Sequence, residues 1–270
     1  MTISAAAILA RGLGSRMKRE DTDASVDPAQ SAAADSGVKG MIPIRRPFLE
    51  YVISALADAG IRDVVLVIGP EHDAIRHHFM VDAVPVRVRI RFAVQDAPTG
   101  TAHAVIAAAE VMRDAPFLVL NADNYYPVDA YRVLSECADA ATVAFDRDAL
   151  VQRGNIDAER VRAFAVLDVD DKGRLRGIIE KPGDTLDLAS PAARFVGMNC
   201  WAVTPAIVDA CRRVPMSSRG EYELPEAVAL AIVEGTVVQA IPMAAAVLDL
   251  SRRSDIERVA AMLADVDPQT

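Results

Sequence analysis

Cysteine is scarce: Cys137, Cys200 and Cys211 are the only three in 270 residues, an odd number with no CxxC spacing. This excludes a disulfide framework and a cysteine-based zinc site, and leaves three core thiols. No apolar run approaches the roughly 20 residues that span a bilayer, and no basic stretch followed by a long apolar one opens the chain. Neither membrane insertion nor secretion is expected, and a cytoplasmic location follows as the default. Positive charge is in deficit too. With 29 Lys and Arg against 38 Asp and Glu the formal net charge is -9, which argues against a nucleic-acid or anionic-membrane partner. Any anion site must therefore be local. There is no Gly-x-Ser-x-Gly elbow for a hydrolase. His72, His77, His78 and His103 have no Cys or His partner at ligand spacing, so they read as surface or core histidines.

The 52% of hydrophobic residues are arranged as apolar strands alternating with amphipathic helices. That pattern predicts an α/β fold: a doubly wound, mainly parallel but mixed sheet with helices on both faces, Rossmann-like in outline. Residues 5–9 form a buried first strand, 47–59 a helix ending at Gly60, and "DVVLVIG" a second strand. "VRVRIRFAV" alternates Val86, Val88, Ile90 and Phe92 with Arg87, Arg89 and Arg91, one face buried and one solvated. "TAHAVIAAAEVM" is helical, "FLVLNADN" is a strand running into polar residues, and "VLDVDDKGRLRGIIEKP" is a hairpin around Asp-Lys-Gly. Residues 254–263 form a last amphipathic helix. One nucleotide-handling domain is expected over 1–270. It is interrupted by a polar, low-complexity insert at about 19–38 that reads as a mobile loop and a candidate lid.

The stretch "ILARGLGSRMKRE" follows the first strand. Its spacing fits neither a Walker loop nor a dinucleotide fingerprint, which needs a third small residue where Met17 stands. What remains is G-x-G-x-R-M: backbone amides freed by Gly12 and Gly14 to line a polyphosphate, with Arg16 as a forked donor to its oxygens.

At this point the chain resembles a family, the sugar-1-phosphate nucleotidyltransferases. "LARGLGSRM" is similar to the family's signature loop, and "KGMIPIRRPFLEYVISALADAGI", "VQDAPTGTAHAV", "VLNADNYYP", "IIEKP", "GEYELPEAV" and "VLDLSRRSDI" resemble its further stations in the right order. The resemblance implies transfer of a nucleotidyl group from a nucleoside triphosphate to a sugar 1-phosphate, releasing pyrophosphate. It implies catalytic roles on the phosphates for Arg16, Lys39 and Lys181. It implies nucleotide contacts from Ala10, Arg11, Gly12, Gly14, Gln95, Gly100 and Thr101, and sugar-phosphate contacts from Asn121, Glu180, Lys181 and Asn199. Asp123 and Asp249 stand at the family's metal positions and imply Mg²⁺. Gln95 offers a donor and an acceptor to the edge of uracil or thymine, so UTP or dTTP is favoured, with glucose 1-phosphate as the default acceptor by resemblance. A homo-oligomer is compatible with the family.

Several positions stay open. Arg11 stands where the family usually has a small residue, and either adds a phosphate or base contact or points to solvent. Lys39 is followed by Gly40 where the family commonly has proline, and Lys18 is the substitute phosphate lysine. Glu221 and Glu223 either approach the sugar or cap a helix beginning near Leu224. Two other readings remain: cytidylyl transfer to phosphocholine or another non-sugar phosphate, and a catalytically silent sensor of nucleotide or sugar phosphate.

Overall fold

The computed structural model describes every residue except Met1, Glu20, Thr22, Asp23, Leu186, Leu188 and Ala189. The first half of the chain runs β1 (Ala5–Leu9), α1 (Pro28–Ser36), α2 (Phe48–Asp58), β2 (Asp63–Ile68), α3 (Asp73–His77), β3 (Arg89–Val94), α4 (Thr101–Met112), β4 (Phe117–Asn121), β5 (Asn124–Tyr125) and α5 (Val128–Ser135). It continues through β6 (Ala140–Asp146), α6 (Arg147–Arg153), β7 (Ala165–Val169), β8 (Leu175–Ile179), β9 (Phe195–Val203), α7 (Pro205–Arg213), α8 (Leu224–Val233), β10 (Val238–Met243), β11 (Leu248–Asp249) and α9 (Asp255–Met262).

The main sheet has the order β10-β6-β9-β4-β1-β2-β3. β4, β1, β2 and β3 are mutually parallel, as are β10 and β6, while β9 runs antiparallel to both neighbours. The expected mixed, mainly parallel sheet is therefore present. Its central strands β1, β2 and β4 are nearly continuous apolar runs because both faces are covered. Successive side chains alternate between faces: Ala6, Ile8, Val64 and Leu66 join α2 and α5 in one core, and Ala7, Val65, Val67 and Val119 join α4, α7 and α8 in the other. The Asp-Lys-Gly hairpin is also found, as β7 and β8 pair antiparallel and β7 adds to β9.

Strand order places the site. The chain builds β2 and β3 on one side of β1 and then crosses to lay β4 on the other. In such sheets a crevice opens beyond the carboxyl ends of the two strands flanking the reversal, here β1 and β4. The small ribbon β5–β11 closes one end of it, pairing Asn124 with Asp249, and Leu250 N–H donates to the Asp123 carbonyl at 2.8 Å.

Two local expectations change. The strand expected from Val86 begins only at Arg89, and Val86 is 90% exposed. β3 is the sheet edge, and the alternation in "VRVRIRFAV" outlasts the pairing. The insert expected to be without structure contains α1, although its Glu20, Thr22 and Asp23 lie outside the described residues. Asp27 caps α1 by accepting from Gln30 N–H at 2.8 Å, the Gln30 side chain answers at the Asp27 N–H, and Pro28 opens the first turn.

Little apolar surface holds α1 down; within it only Ala34 is fully buried. Arg253, almost fully buried itself, does so with charged hydrogen bonds: it reaches Ser31 Oγ at 3.1 Å and the Asp35 carboxylate from one edge, and the Met17 and Arg19 carbonyls at 3.1 and 3.0 Å from Nε. Arg253→Met is therefore expected to speed amide hydrogen exchange across residues 28–36 by about tenfold or more, the opening cost of one lost charged hydrogen bond. Unchanged protection there would show that something other than Arg253 anchors the helix.

Candidate active site

After β1 the chain turns through a loop in which Gly14 answers to a specific neighbour, whereas a Cβ on Gly12 would meet open space. A Cβ on Gly14 (φ 61°) would strike the Gly37 backbone, and one on Gly37 (φ 77°) would meet the Leu13 carbonyl oxygen at 2.7 Å. Both residues sit in the left-handed region that glycine enters without a steric penalty. The end of α1 thus packs directly on the loop and becomes part of its wall. Between this loop and α4 lies a cavity of about 350 Å³, lined by Ala10, Arg11, Gly12, Gly14, Arg16, Lys39, Gln95, Gly100, Thr101, Asn121 and Asp123. All seven residues expected at the nucleotide are in that wall.

The wall is braced from outside. Gly100 (φ 115°) leaves no room for a Cβ because the Tyr222 backbone lies against it, and Tyr222 is tied in by Tyr222 N–H to Thr99 O at 2.8 Å and Ala102 N–H to Tyr222 O at 2.9 Å. The Thr101 hydroxyl accepts from Leu224 N–H at 2.8 Å. Gln95 Nε2 donates to Gly100 O at 3.0 Å, which fixes the side chain across its own loop.

A second cavity of about 190 Å³ adjoins the first, and it is lined by Asn121, Asp123, Glu180, Lys181, Asn199 and Asp249 among others. Arg16, Asn121 and Asp123 line both cavities. Lys181 (φ 45°) and Asn199 (φ 55°) both hold left-handed backbone, an uncommon state for residues with a side chain and one that concentrates at functional sites. Asn199 Oδ1 also accepts from the Trp201 indole at 3.3 Å. Burial pushes the Glu180 carboxyl above the usual range, with Lys181 and Arg219 pulling the other way.

The cations divide in a telling way. Arg16 is exposed and, among the described residues, has no hydrogen-bond or ion-pair partner. Lys39 Nζ donates to Asp123 Oδ2 at 2.7 Å. Lys18 lines neither cavity; its side chain runs over Gly37. Lys39, rather than Lys18, therefore lines the larger cavity.

Asp249 is held through both its backbone and its side chain. Asn155 pins its backbone on both sides at 2.8 Å. Its carboxylate accepts from Asn124 Nδ2 at 2.9 Å, Ser251 Oγ at 3.1 Å and Arg160, which also forks onto Asp255. Burial first, and then the nearby charge of Asp123, raise its carboxyl to about 6. Two carboxylates that repel one another are a place for a cation. Among the described residues Asp249 uses three of about four acceptor positions and Asp123 uses one, so both retain capacity. No third Asp, Glu, His or Cys joins them among the described residues, which suits an ion that completes its shell with water and substrate phosphates.

Arg160, Asn124, Asn155, Arg219 and Arg253 escaped the sequence reading. Glu223 does not cap α8 through its side chain; its carboxylate takes Arg219 and, at 2.7 Å, Ser217 Oγ, while Glu221 lines the larger cavity.

The chain is similar to known proteins in both sequence and fold. A sequence profile of the family described as "Nucleotidyl transferase" matches residues 36–264. The UTP–glucose-1-phosphate uridylyltransferase AglF of Haloferax volcanii is 29% identical over 252 residues, 93% of this chain and 92% of its own. A glucose-1-phosphate thymidylyltransferase of Streptomyces antibioticus is 28% identical over 228 residues, 83% of this chain but only 60% of its own. The UTP-bound UGPase of Acinetobacter baumannii superposes with a TM-score of 0.75 over 99% of this chain and 96% of its own; at 18% identity that likeness concerns the fold. Among the described residues no helix is long and apolar enough to cross a membrane. Since the profile takes in most of the chain, the protein belongs to the nucleotidyl transferase family and is an enzyme of that class, a nucleotidyltransferase.

Proposed function

We propose that this nucleotidyltransferase joins UTP or dTTP to a sugar 1-phosphate, with glucose 1-phosphate the first acceptor to test, and releases pyrophosphate. The carrying observation is that two cavities of different chemistry meet at Arg16, Asn121 and Asp123. The glycine-walled one, ending at Gln95, suits a nucleotide, and the smaller one, edged by Glu180 and Lys181, suits a sugar phosphate. The names of the relatives, uridylyltransferase and thymidylyltransferase of glucose 1-phosphate, point the same way.

In the proposed reaction a phosphate oxygen of the sugar 1-phosphate attacks the α-phosphorus, and the bond from that phosphorus to the bridging oxygen of pyrophosphate breaks. Two anions have to meet in line, so the protein's work is charge neutralisation and alignment rather than covalent chemistry. Arg16 offers its guanidinium to the triphosphate and follows the charge onto departing pyrophosphate. Lys39, anchored by Asp123, holds the phosphates from the opposite side. Lys181 holds the attacking phosphate. Glu180 accepts a hydrogen bond from a sugar hydroxyl, with Asn121 and Asn199 beside it.

Enzymes of this family generally use a divalent metal. Here Asp123 and Asp249 would hold Mg²⁺, which when bound neutralises phosphate charge. Arg160 and Asn155 keep Asp249 in place for that role.

A matrix of UTP, dTTP, CTP, GTP and ATP against several sugar 1-phosphates and phosphocholine, read as pyrophosphate release with Mg²⁺, tests the proposal. The expected result is release with UTP or dTTP and a hexose 1-phosphate. Preference for GTP or ATP overturns the base assignment, and CTP with phosphocholine overturns the acceptor.

A further inference from the structure

Arg11 occupies a position where a small residue is usual in the resembling family, and its side chain turns into the protein, not out to solvent. It is only 10% exposed. Nε donates to the Gln95 carbonyl oxygen at 3.1 Å, and Nη1 lies 2.7 Å from Glu71 Oε1. The end of β2 is cut back to make space: a Cβ on Gly69 would sit 2.5 Å from Arg11 Nε and collide with the Glu71 carboxylate. His72 completes the support, its Nδ1 accepting from Gly69 N–H at 3.1 Å and its Nε2 lying 3.8 Å from Glu71 Oε1. A guanidinium held on two sides in this way is preorganised, and among the described residues its Nη2 donates no hydrogen bond.

Gln95 faces the same cavity with the complementary atom. Its Nε2 is committed to Gly100 O, and among the described residues its Oε1 accepts nothing. That end of the cavity therefore presents a donor-only cation from Arg11 next to an acceptor from Gln95. The imide edge of uracil or thymine, an N–H flanked by carbonyl oxygens, complements this pair. Cytosine offers a bare ring nitrogen where the N–H should be, and so sets one lone pair against the Gln95 oxygen; turning the amide over would forfeit the bond to Gly100.

We propose that Arg11 determines base specificity, donating from its guanidinium to the O4 carbonyl of a uracil-type base, where cytosine carries an amino group, while Gln95 Oε1 accepts the adjoining N–H, so that UTP and dTTP are selected over CTP. The inference rests on the nucleotide reading of the larger cavity given above.

The test is kcat/KM for UTP, dTTP and CTP, with glucose 1-phosphate and Mg²⁺, in the wild type, Arg11→Met and Arg11→Lys, each checked for an unchanged melting temperature. Arg11→Met keeps the unbranched stem out to the ε position and removes every side-chain donor. Its kcat/KM for UTP and dTTP is expected to fall by about 10- to 100-fold, the scale of one charged hydrogen bond, with CTP nearly unaffected. Arg11→Lys should recover part of the loss. An equal fall for all three nucleotides, or no fall for UTP, overturns the assignment to Arg11. Should Arg11→Met not fold, the wild type still decides: a UTP-to-CTP ratio below about ten contradicts the inference. Preference of the wild type for ATP or GTP is a different result, and it defeats the underlying nucleotide reading.

Discussion

Asp123→Asn is expected to lower kcat by about a hundredfold or more while the melting temperature stays within a degree or two. The size follows from what one charge on a phosphoryl group contributes, about 3 kcal/mol or more inside a site. The small effect on stability follows from location: Asp123 lies beyond the end of β4, partly exposed, and its one side-chain partner among the described residues is Lys39. An amide is close in shape but has no charge to share between a divalent cation and the Lys39 ammonium. Titrating Mg²⁺ should therefore show a raised requirement in any activity that remains. Wild-type turnover in the variant, or turnover indifferent to EDTA in the wild type, contradicts a metal role for Asp123.

Arg16→Ala is expected to be at least as damaging, lowering kcat by about 100- to 1,000-fold, the range for removing one preorganised donor to developing charge. Arg16 lines both cavities and has no partner to lose among the described residues, so no buried group is stranded by its removal. Stability should consequently be unchanged. Arg16→Lys keeps the charge but not the fork, and should fall between the two. A change confined to KM, with kcat intact, would mean that Arg16 binds the nucleotide without stabilising the departing pyrophosphate.

The legible features were those encoded by neighbours in sequence. Strand β2 is six consecutive apolar or strand-terminal residues, β7 and β8 flank a readable Asp-Lys-Gly turn, and Asp123 follows an apolar strand into polar residues. The two glycines of the β1 loop were legible as freedom in the backbone, but Gly14 was not legible as the surface on which Gly37 rests, because that contact spans the insert. α1 was missed although Asp27, Pro28, Gln30 and Gly37 are sound cap residues; composition spoke against order, and the anchor is Arg253, more than 200 residues away. Arg160 was illegible for the same reason. Nothing in "AERVRA" says that Arg160 meets a carboxylate 89 residues on, and its side-chain hydrogen bonds go to Asp249 and Asp255. Distant ion pairs of this kind have no local periodicity to betray them. Edges mislead in the opposite direction, as Val86 shows: alternation continued where pairing did not.

The roles assigned to the two cavities come together in a single claim, that the bond broken lies between the α- and β-phosphates and the α-phosphate passes to the sugar phosphate. Incubation of the enzyme with Mg²⁺, glucose 1-phosphate and UTP labelled with ³²P at the α-phosphate tests it directly. The label is expected in UDP-glucose, in step with unlabelled pyrophosphate and absent when glucose 1-phosphate is omitted. Label recovered in UMP or UDP regardless of the sugar phosphate, or orthophosphate released in place of pyrophosphate, would contradict it.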